Sequence, residues 1–493
     1  MVEIKTVSKL KICGIYYCNN IDEEYTLNVL EKIDKLGLKI KQWVPRQLTI
    51  EGKVLIVKTF GISQLIYNMQ SYEFREVDLK NAERQIFQFI WSSKDNYKGI
   101  DRISRSIMKN NYEQGGMKVT DMDCLDKSIK LKQFIRAQSS NHIISKIQDM
   151  LSGSKNNKLK QEYCKITDLE KVSSSAQQTL NLIIDYNREK YKNLTDEEIE
   201  SDKNLIDEIS SINLRTFLSR KKKMFTLCIL KLVNDSGITT LADLVQADEH
   251  ERERNLSKSI KLVLSSIPRH LIEIAKNYNE DINDDSEGLK YVQITPSERM
   301  AIETITVKQL QLTLKVVLNR IESTNFTERL GIDDFERGDI LSFRKSCTNS
   351  KLRNIHFRLI NRDFFTHSRM KKYKMTQTDQ CPRCGQIESI NHLLWECPHV
   401  KQVWNSFNSF MRKMGDEKEE VKSYNNVYKF GQKSVTTLIK IKVIQALIQI
   451  ERPKNWNEDR MEALVKDLII NERYIAEKKF SLGKFLTRWN LGE

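Results

Sequence analysis

Three cysteines and one histidine lie within 17 positions near the end of the sequence. They are Cys381, Cys384, His392 and Cys397, in the spacing C-x2-C-x7-H-x4-C. A structural zinc ion takes four thiolate or imidazole ligands in a tetrahedron, and a C-x2-C turn directs two thiolates at one centre. Because four protein ligands leave no open coordination position, we expect a structural Zn²⁺ ion rather than one that activates water. His399 is the alternative fourth ligand, and ordinary free thiols are the alternative to a metal site.

A strongly basic segment directly precedes the first of these cysteines. Residues 341–380 hold ten Lys or Arg against two acids, a net +8 of the +15 that the whole chain carries. Neutralising backbone phosphates with such a cluster releases counterions, so a polyanion is the expected partner. The alternative is a merely basic soluble helix whose interleaved aromatic residues belong to the core.

The spacing within this segment predicts a helix over about 350–363. Leu352, Ile355 and Leu359 would face a core. Lys351, Arg358 and Arg362 would form a basic stripe on the opposite, solvent-facing side. Two histidines of the segment, at 356 and 367, would contact phosphate or face solvent. The candidate nucleic-acid contacts are Lys351, Arg353, Arg358, Arg362, Arg369, Lys371, Lys372 and Lys374.

The elements that carry these residues are expected to be mostly helices. Glycine and proline are scarce, at 17 and 6 of 493 residues, and long stretches are rich in helix-forming residues. The alternation in residues 9–17 predicts a strand that forms one arm of a hairpin, and helices are expected at about 21–42, 51–69 and 78–91. The sequence therefore predicts a mainly α, multi-domain chain with a short N-terminal β-hairpin and a small zinc knuckle near the C-terminus.

The length implies about three globular units, and composition suggests where they end. The small polar run at 152–158 would end the first unit. We expect four regions: 1–150, 151–340, 341–415 with the basic helix and the zinc-binding segment, and a helical tail at 416–493.

Cysteine content and hydropathy predict where the protein resides. Nine cysteines are too dilute for a disulfide scaffold, and nine is odd. Residues 1–30 lack the apolar run of a secretory signal, and the longest aliphatic stretch, 54–57, is far shorter than the roughly 18 residues that span a bilayer. We expect an intracellular protein, in the nucleus or the cytoplasm, that does not associate with membranes.

Residues 351–404 carry a pattern that resembles a known family. The chain has CPRCG at 381–385, HL at 392–393, CP at 397–398 and a tryptophan at 404, after a basic amphipathic helix. This order resembles the C-terminal zinc-binding segment of reverse transcriptases encoded by non-LTR retrotransposons, the long interspersed elements. Residues 48–70, 86–94 and 112–137 are similar to the thumb of the same family, and residues 9–17 to its primer grip.

The resemblance implies a function in holding nucleic acid. In this family, thumb helices hold the primer–template duplex. Arg102, Arg105 and Lys109, together with the basic segment, would therefore grip template RNA and target DNA, and phosphate contacts would fix position without reading sequence. A helical, zinc-stabilised scaffold or protein-interaction remnant of a transposon, without a nucleic-acid role, is the alternative.

The catalytic residues of the family are not recognised in the sequence. Its polymerases bind two divalent metals through carboxylates that include adjacent aspartates on an apolar strand. The two Asp-Asp pairs here, at 284–285 and 333–334, lie in polar sequence. The chain resembles the part downstream of the palm. Whether it is an enzyme stays open, but we expect no catalytic residues and no polymerase activity from this chain alone.

Overall fold

The computed structural model describes residues 7–93, 100–139, parts of 172–186 and 233–276, 291–295, 298–301, 305–320, parts of 330–344, 347–430, 434–449, 456–479 and 481–489. Over these residues the protein is mainly helical, with an antiparallel β-hairpin at the N-terminal end, which confirms the predicted fold class. Most of residues 140–232 lie outside the described residues.

The N-terminal hairpin consists of β1 (Lys9–Ile12) and β2 (Ile15–Cys18). The stretch at 9–17 that the sequence predicted as a single arm therefore holds the first strand, the turn and all but the last residue of the second strand. Ile12 pairs with Ile15, so the loop has two residues, Cys13 and Gly14, with φ of 49° and 87°. Two consecutive positive φ values are typical of the type I′ turn, whose twist matches that of the strands. A tight turn at this glycine thus closes a hairpin within ten residues.

The predicted N-terminal helices are present, and two of them contain π-helical turns. The segment after the hairpin runs without a break through α1 (Ile21–Tyr25), a π-helical turn (Thr26–Leu30) and α2 (Glu31–Lys41). The next runs through α3 (Ile50–Ile56), a second π-helical turn (Val57–Ile62) and α4 (Ser63–Ser71). These are followed by α5 (Glu76–Ile90), α6 (Arg105–Lys109) and α7 (Met122–Ser139).

The remaining elements are helices and one further hairpin. The helices of the middle region are α8 (Leu241–Asp248), α9 (Arg254–Leu264), α10 (Arg269–Lys276) and α11 (Val307–Val317). An antiparallel pair, β3 (Tyr291–Thr295) and β4 (Glu298–Ala301), was not predicted from the sequence. The C-terminal helices are α12 (Ser350–Ile360), α13 (His367–Lys372), α14 (Pro398–Lys413), α15 (Tyr424–Tyr428), α16 (Ser434–Leu447), α17 (Glu458–Lys478) and α18 (Leu482–Trp489).

The chain divides into two compact units. The first unit contains residues 1–33, 64–80 and 122–320, and the second contains residues 34–63, 81–121 and 321–493. Each unit is therefore built from separated pieces of the chain. The four regions predicted from composition stay a prediction.

In the first unit, a buried asparagine fixes the hairpin to the helix that follows it. Asn28 Nδ2 donates to Tyr16 O at 2.7 Å, and Tyr16 N–H donates to Asn28 Oδ1 at 2.9 Å. Tyr72 Oη lies 2.9 Å from Asn28 Nδ2. Farther along the chain, α7 and α11 pack through a core that includes Leu131 and Leu314.

The second unit has a core that extends from residue 330 to residue 468. It joins α12, α14, α16 and α17, so the zinc-binding segment and the C-terminal tail share one set of buried side chains. The largest of them are Trp404, Tyr428, Phe364 and Phe407. Their burial excludes water from a large apolar area, which is the main favourable contribution to folding.

One buried lysine in this core satisfies the end of a helix. Lys440 is 2% exposed and its Nζ donates to the carbonyl oxygens of Asn426 at 3.2 Å and Lys429 at 2.7 Å, at the C-terminal end of α15. Burial lowers the pKa of Lys440 to about 8. The ammonium group donates to carbonyl oxygens at the helix end that no helical amide can reach. These hydrogen bonds offset the free-energy cost of burying the charge.

No helix among the described residues is both long enough and apolar enough to cross a lipid bilayer.

Candidate metal centre

A tight turn at 381–387 presents the first two cysteines. Cys381 N–H donates to Gln386 O at 2.6 Å, Gly385 N–H donates to Cys381 O at 2.9 Å, and Gln380 and Ile387 form an isolated antiparallel bridge. Gly385 has φ of +76°, in the left-handed region that glycine adopts without strain. The turn folds the chain back over four residues, so Cys381 and Cys384 lie on the same side of it.

The other two side chains come from the two ends of a helical turn. A π-helical turn spans His392–Glu396, and Cys397 N–H closes it by donating to His392 O at 3.2 Å. Cys397 is then the N-cap of α14, and Pro398 follows at the first helical position. Proline is well suited there because its missing N–H needs no partner and its fixed φ matches the helix. The chain therefore leaves the site directly into a buried helix.

The four ligand atoms meet in one place. The three Sγ atoms and the imidazole nitrogen all lie within 4.8 Å of one another. Cys384 Sγ is 3.2 Å from His392 Nε2 and 3.9 Å from Cys397 Sγ. Tetrahedral zinc with Zn–S bonds of about 2.3 Å would separate two ligand sulfurs by roughly 3.8 Å. Three thiolates and one imidazole at these separations fit zinc.

The structure distinguishes the two candidates for the fourth ligand. Cys397 is 1% exposed and belongs to the cluster, whereas His399 is exposed and lies outside it. Burial raises the pKa of the Cys397 thiol to about 11, and hydrogen bonds from the amides of His399 and Val400 act in the opposite direction. A coordinated thiol is deprotonated by the metal's charge, which outweighs the effect of burial.

The apolar residues around the knuckle hold it on the core of the second unit. Leu394 is fully buried, and Trp404 Nε1 donates to Leu394 O at 2.8 Å across the first turn of α14. Leu393, Val400 and Val403 pack there as well, each at most 2% exposed, and Trp395 is partly buried against the same core. The metal centre is thus part of the core of the second unit.

A buried carboxylate connects the knuckle to the short helix α13. Glu388 is 0% exposed, and its Oε1 accepts hydrogen bonds from His367 N at 3.1 Å and, where Nδ1 is protonated, from His367 Nδ1 at 3.2 Å. Its backbone carbonyl lies 3.4 Å from Ser368 N. Thr366, the N-cap, accepts from Arg369 N at 3.2 Å. Negative groups at a helix N-terminus are favourable, so Glu388 fixes α13 to the metal-binding segment.

The solvent-facing stripe predicted on α12 is wrong at two arginines. Arg358 is only 19% exposed and lies 3.4 Å from the carboxylate of Asp363. Arg362, just after the helix, donates to Leu330 O at 3.0 Å and to Asn391 Oδ1 at 3.0 Å. The predicted helix also ends three residues early, at Ile360. The chain after this helix turns back, with Arg362 at φ of +51°, so Arg358 meets the carboxylate of Asp363 and Arg362 meets carbonyl and amide oxygens.

Two further arginines of the segment are also engaged in ion pairs. Arg353 Nε lies 2.9 Å from Glu51 Oε2, and Arg353 Nη1 donates to Cys347 O at 3.2 Å. Arg369 Nη1 lies 3.5 Å from Asp363 Oδ1. Exposed charge in this segment is therefore less than the residue count suggests, because these guanidinium groups are paired and one partner, Glu51, lies outside the counted residues.

The three candidate contacts at 102, 105 and 109 are paired as well. Arg105 lies 2.7 Å from Asp101, and Lys109 lies 2.7 Å from Glu83 and 3.1 Å from Asp121. Arg102 lies 3.6 Å from Asp363. Burial lowers the pKa of Arg102, and Asp363 acts against this effect.

The lysines are placed differently from the arginines. Lys351, Lys371, Lys372 and Lys374 are all exposed. Lys371 pairs with Asp379 at 3.0 Å across the surface. An exposed pair of this kind contributes little to stability and is readily exchanged for another anion. Tyr373, between the last two lysines, is 54% exposed.

The two histidines of the segment do not face solvent openly: His356 is buried and His367 is partly buried. His356 is 4% exposed and lies between the rings of Phe343 and Phe430, at 4.4 and 4.7 Å. Burial first, and then the positive charge of Arg344, lower the pKa of His356 to about 3. His367 is held by Glu388.

Sequence reasoning did not identify Asp363 and Glu388 as parts of the site. Each is a single acid in a basic or mixed stretch, and neither stands in a motif. Burial is what distinguishes them, at 1% and 0% exposed, and burial depends on residues far away in the chain.

Residues 339–404 match the protein family described as zinc-binding in reverse transcriptase. The matched segment contains all four ligand residues and ends at Trp404. This segment of the chain is therefore similar to the zinc-binding region of reverse transcriptases. The match covers α12, α13 and the metal centre.

Proposed function

We propose that this chain binds RNA and DNA as the part of a non-LTR retrotransposon reverse transcriptase that lies beyond the palm. The observation that carries the proposal is a group of exposed lysines fixed to the zinc-binding segment. Lys371, Lys372 and Lys374 lie on or directly after α13, whose N-terminus is held by the buried Glu388 of the same segment. Positive side chains on a helix that is held in place favour contact with a regular polyanion such as a nucleic-acid backbone.

The lysines are suited to phosphate contacts that do not read sequence. An ammonium group is a compact, hydrated point charge on a flexible stem, so it follows a backbone without demanding one geometry. Each phosphate it neutralises releases counterions, which makes the affinity fall with salt concentration. Tyr373 offers an exposed ring beside them, and unpaired bases stack on such rings. In this proposal the surface holds template or target strands in position.

Zinc has a structural role in this proposal. All four donor side chains come from the protein, so no coordination position is left for water or substrate. Cys381 and Cys397 are buried in the core of the second unit, and α14 starts at the last ligand. The ion would fix the turn, the helix and Glu388, and through Glu388 the lysine-bearing α13.

The thumb-like region makes a smaller contribution than the sequence suggested. Arg102, Arg105 and Lys109 are 17% to 36% exposed and each already faces a carboxylate. Their charges still add to the field around the second unit, but removing one of them also leaves a carboxylate without its partner. Tests of nucleic-acid binding are therefore cleaner with the exposed lysines.

The experiment compares two triple variants of the full chain for binding to a fluorescently labelled RNA hairpin. Lys371→Ala/Lys372→Ala/Lys374→Ala should weaken binding at about 50 mM salt by on the order of tenfold or more, and should reduce the dependence of log affinity on log salt by about 2. Lys466→Ala/Lys478→Ala/Lys484→Ala removes the same charge from exposed positions of α17 and α18 and should leave both quantities nearly unchanged.

The competing function is a zinc-stabilised scaffold without a nucleic-acid role. If the two triple variants are weakened to the same extent, net charge alone is responsible for binding, which would contradict a positioned surface. If the parent protein does not bind RNA or DNA hairpins at low salt, the result favours the scaffold function over nucleic-acid binding.

A further inference from the structure

A second group of basic residues in the second unit surrounds the carboxylate of Asp363. The guanidinium groups of Arg102, Arg358 and Arg369 lie 3.6, 3.4 and 3.5 Å from its oxygens. Asp363 itself is 1% exposed. The three arginines come from the loop before α6, from α12 and from α13, so the tertiary structure brings the group together.

This group has more positive charge than its carboxylate can neutralise. Three guanidinium groups face one carboxylate, and all three are partly accessible, with 27%, 19% and 21% of their side chains exposed. Neither oxygen of Asp363 accepts a hydrogen bond among the described residues. The arginines are therefore held near Asp363 by charge. Their N–H groups do not donate hydrogen bonds to its carboxylate and can donate to another acceptor.

The backbone positions two of these arginines. Arg358 Nε donates to Asp363 O at 2.9 Å. Arg369 Nη1 donates to Arg362 O and its Nη2 donates to Arg102 O, both at 3.2 Å. For Arg102, no acceptor for its guanidinium hydrogens is found in the part of the chain that the structure describes. Guanidinium groups fixed in this way are preorganised, so little side-chain entropy is lost when an anion binds.

Aromatic rings flank the same guanidinium. Arg102 Cζ lies 4.6 Å from the ring centre of Trp91 and 5.4 Å from that of Phe365. Trp91 is 7% exposed, whereas Phe365 is 37% exposed and follows the buried Phe364 directly in the chain. An exposed ring next to a cationic cluster presents one apolar face to solvent beside a strong anion site. That combination matches a nucleotide, which joins a flat base to a phosphate.

We propose that Arg102, Arg358 and Arg369, held around Asp363, bind a backbone phosphate of single-stranded nucleic acid while Phe365 stacks on the neighbouring base. The proposal rests on the proposed nucleic-acid function and adds a specific contact for unpaired strands. Arginine suits this role because its planar, forked donors match two phosphate oxygens at once. Asp363 keeps the three cations in one arrangement and prevents their mutual repulsion from spreading them.

The chain contains a matched control for this site. Arg46 lies 4.6 Å from the ring centre of Trp43, whose ring is 5.2 Å from that of Phe60. Phe60 is 46% exposed and Arg46 is exposed. This second arrangement has an arginine and exposed aromatic residues but no further arginines grouped around a buried carboxylate among the described residues. Arg46→Gln and Phe60→Ala therefore remove the same groups without touching the Asp363 cluster.

The experiment measures binding of the full chain to a fluorescent oligo-dT of about 20 nucleotides and to an abasic strand of the same length. Phe365→Ala should weaken binding to oligo-dT by about fivefold or more and leave binding to the abasic strand unchanged, since only the former has bases to stack. Phe365→Trp keeps an aromatic ring and should bind oligo-dT as tightly as the parent. Arg102→Gln should weaken binding to both strands and lower the salt dependence by about 0.7. Arg46→Gln and Phe60→Ala should change neither the affinity for the two strands nor its salt dependence.

The outcomes separate this site from the broader function. If the triple lysine variant loses affinity while Phe365→Ala and Arg102→Gln bind oligo-dT like the parent, the Asp363 site is wrong and the nucleic-acid function stands. Equal weakening on both strands by Phe365→Ala also refutes stacking. A parent protein that binds neither strand nor an RNA hairpin refutes both. The zinc content and thermal unfolding of each variant are measured alongside, and Phe365→Trp distinguishes loss of stacking from loss of folding.

Discussion

Individual residues of the zinc-binding segment differ in function according to burial, although they share one basic stretch of sequence. Cys397 and His356 are both buried, one in a group of ligand atoms and the other between two phenylalanine rings. His399 and Lys372 are exposed. A buried thiol in a cluster of four donors is a ligand candidate, whereas a buried histidine without such neighbours is a packing residue that must stay neutral.

Loss of one ligand should remove zinc from the protein. We expect one zinc ion per purified chain, and none in Cys384→Ser, because three remaining ligands bind far less tightly than a complete tetrahedral set. Metal analysis by atomic emission is the measurement. Cys13→Ser, at an exposed cysteine of the hairpin turn, is the matched control and should keep its zinc. Full zinc in Cys384→Ser, or none in the parent, would contradict the assignment of these ligands.

His356 should make the protein less stable in acid. Its pKa is lowered to about 3 in the folded protein, from an ordinary value of 6.5, so the unfolded chain binds a proton more readily between these values. Stability from this residue is thus present above pH 6.5 and is lost as pH falls towards 3, by about 1.4 kcal/mol per unit at most. Urea unfolding between pH 7 and pH 4 should show a shallower loss for His356→Phe than for the parent.

The exposed His399 is the control for this pH dependence. His399→Gln removes an exposed histidine, so the free energy of unfolding of this variant should equal that of the parent at each pH. If His356→Phe and the parent lose the same free energy of unfolding between pH 7 and pH 4, then burial does not keep His356 neutral.

At the scale of elements, short helices here are stabilised by their ends rather than by their length. The lysine-bearing α13 has only six residues, too few to form a stable helix alone. Thr366 caps it through its side chain, and Glu388 accepts from the first helical amide. Because both contacts are at the N-terminus, they also complement the helix dipole.

Removing the Thr366 cap should destabilise the second unit. Thr366→Ala should lower the free energy of unfolding by about 1 kcal/mol, because the N–H of Arg369 loses its acceptor in a buried position. Thr366→Ser keeps the hydroxyl and should lose less. Urea unfolding followed by circular dichroism is the measurement. If Ala and Ser at this position have the same effect, the methyl group of Thr366 and not its hydroxyl stabilises α13.

At the scale of the whole molecule, the metal centre belongs to only one of the two compact units. All four ligands and the core around them lie in the second unit, which also contains all six tryptophans: Trp43, Trp91, Trp395, Trp404, Trp456 and Trp489. Intrinsic tryptophan fluorescence therefore reports on the second unit alone. This distribution allows the effect of zinc on each unit to be measured in the intact chain.

Chelation of zinc should loosen the second unit selectively. A strong chelator should shift tryptophan emission to longer wavelength, because Trp404 packs on the turn that zinc fixes. Hydrogen exchange in α7 and α11 of the first unit should stay slow. Cys384→Ser should already have the shifted emission and should not respond to the chelator. An unchanged spectrum after zinc has been removed would show that the core holds the knuckle without the metal.

Much of the candidate site could be predicted because it depends on local spacing. Successive ligands three to eight residues apart along the chain meet whenever the turn between them is tight, so C-x2-C and the later His and Cys identify the metal centre. Helix positions follow from the 3.6-residue period of apolar residues, which is again local. The π-helical turns, the second hairpin and the early end of α12 were not predicted, because each depends on contacts beyond the local pattern.

The sequence alone determined three of the four candidate metal ligands, the helical character and the location of most of the excess charge. Only the tertiary structure decided which of those charges reach solvent. Glu51 pairs with Arg353 from 302 positions away, and Asp363 gathers Arg102 from 261 positions earlier in the chain. Charge interactions depend on distance in space and on burial, and neither is encoded in the neighbouring residues. The lysines therefore remain a candidate surface, and the arginines form ion pairs and a cluster that only folding creates.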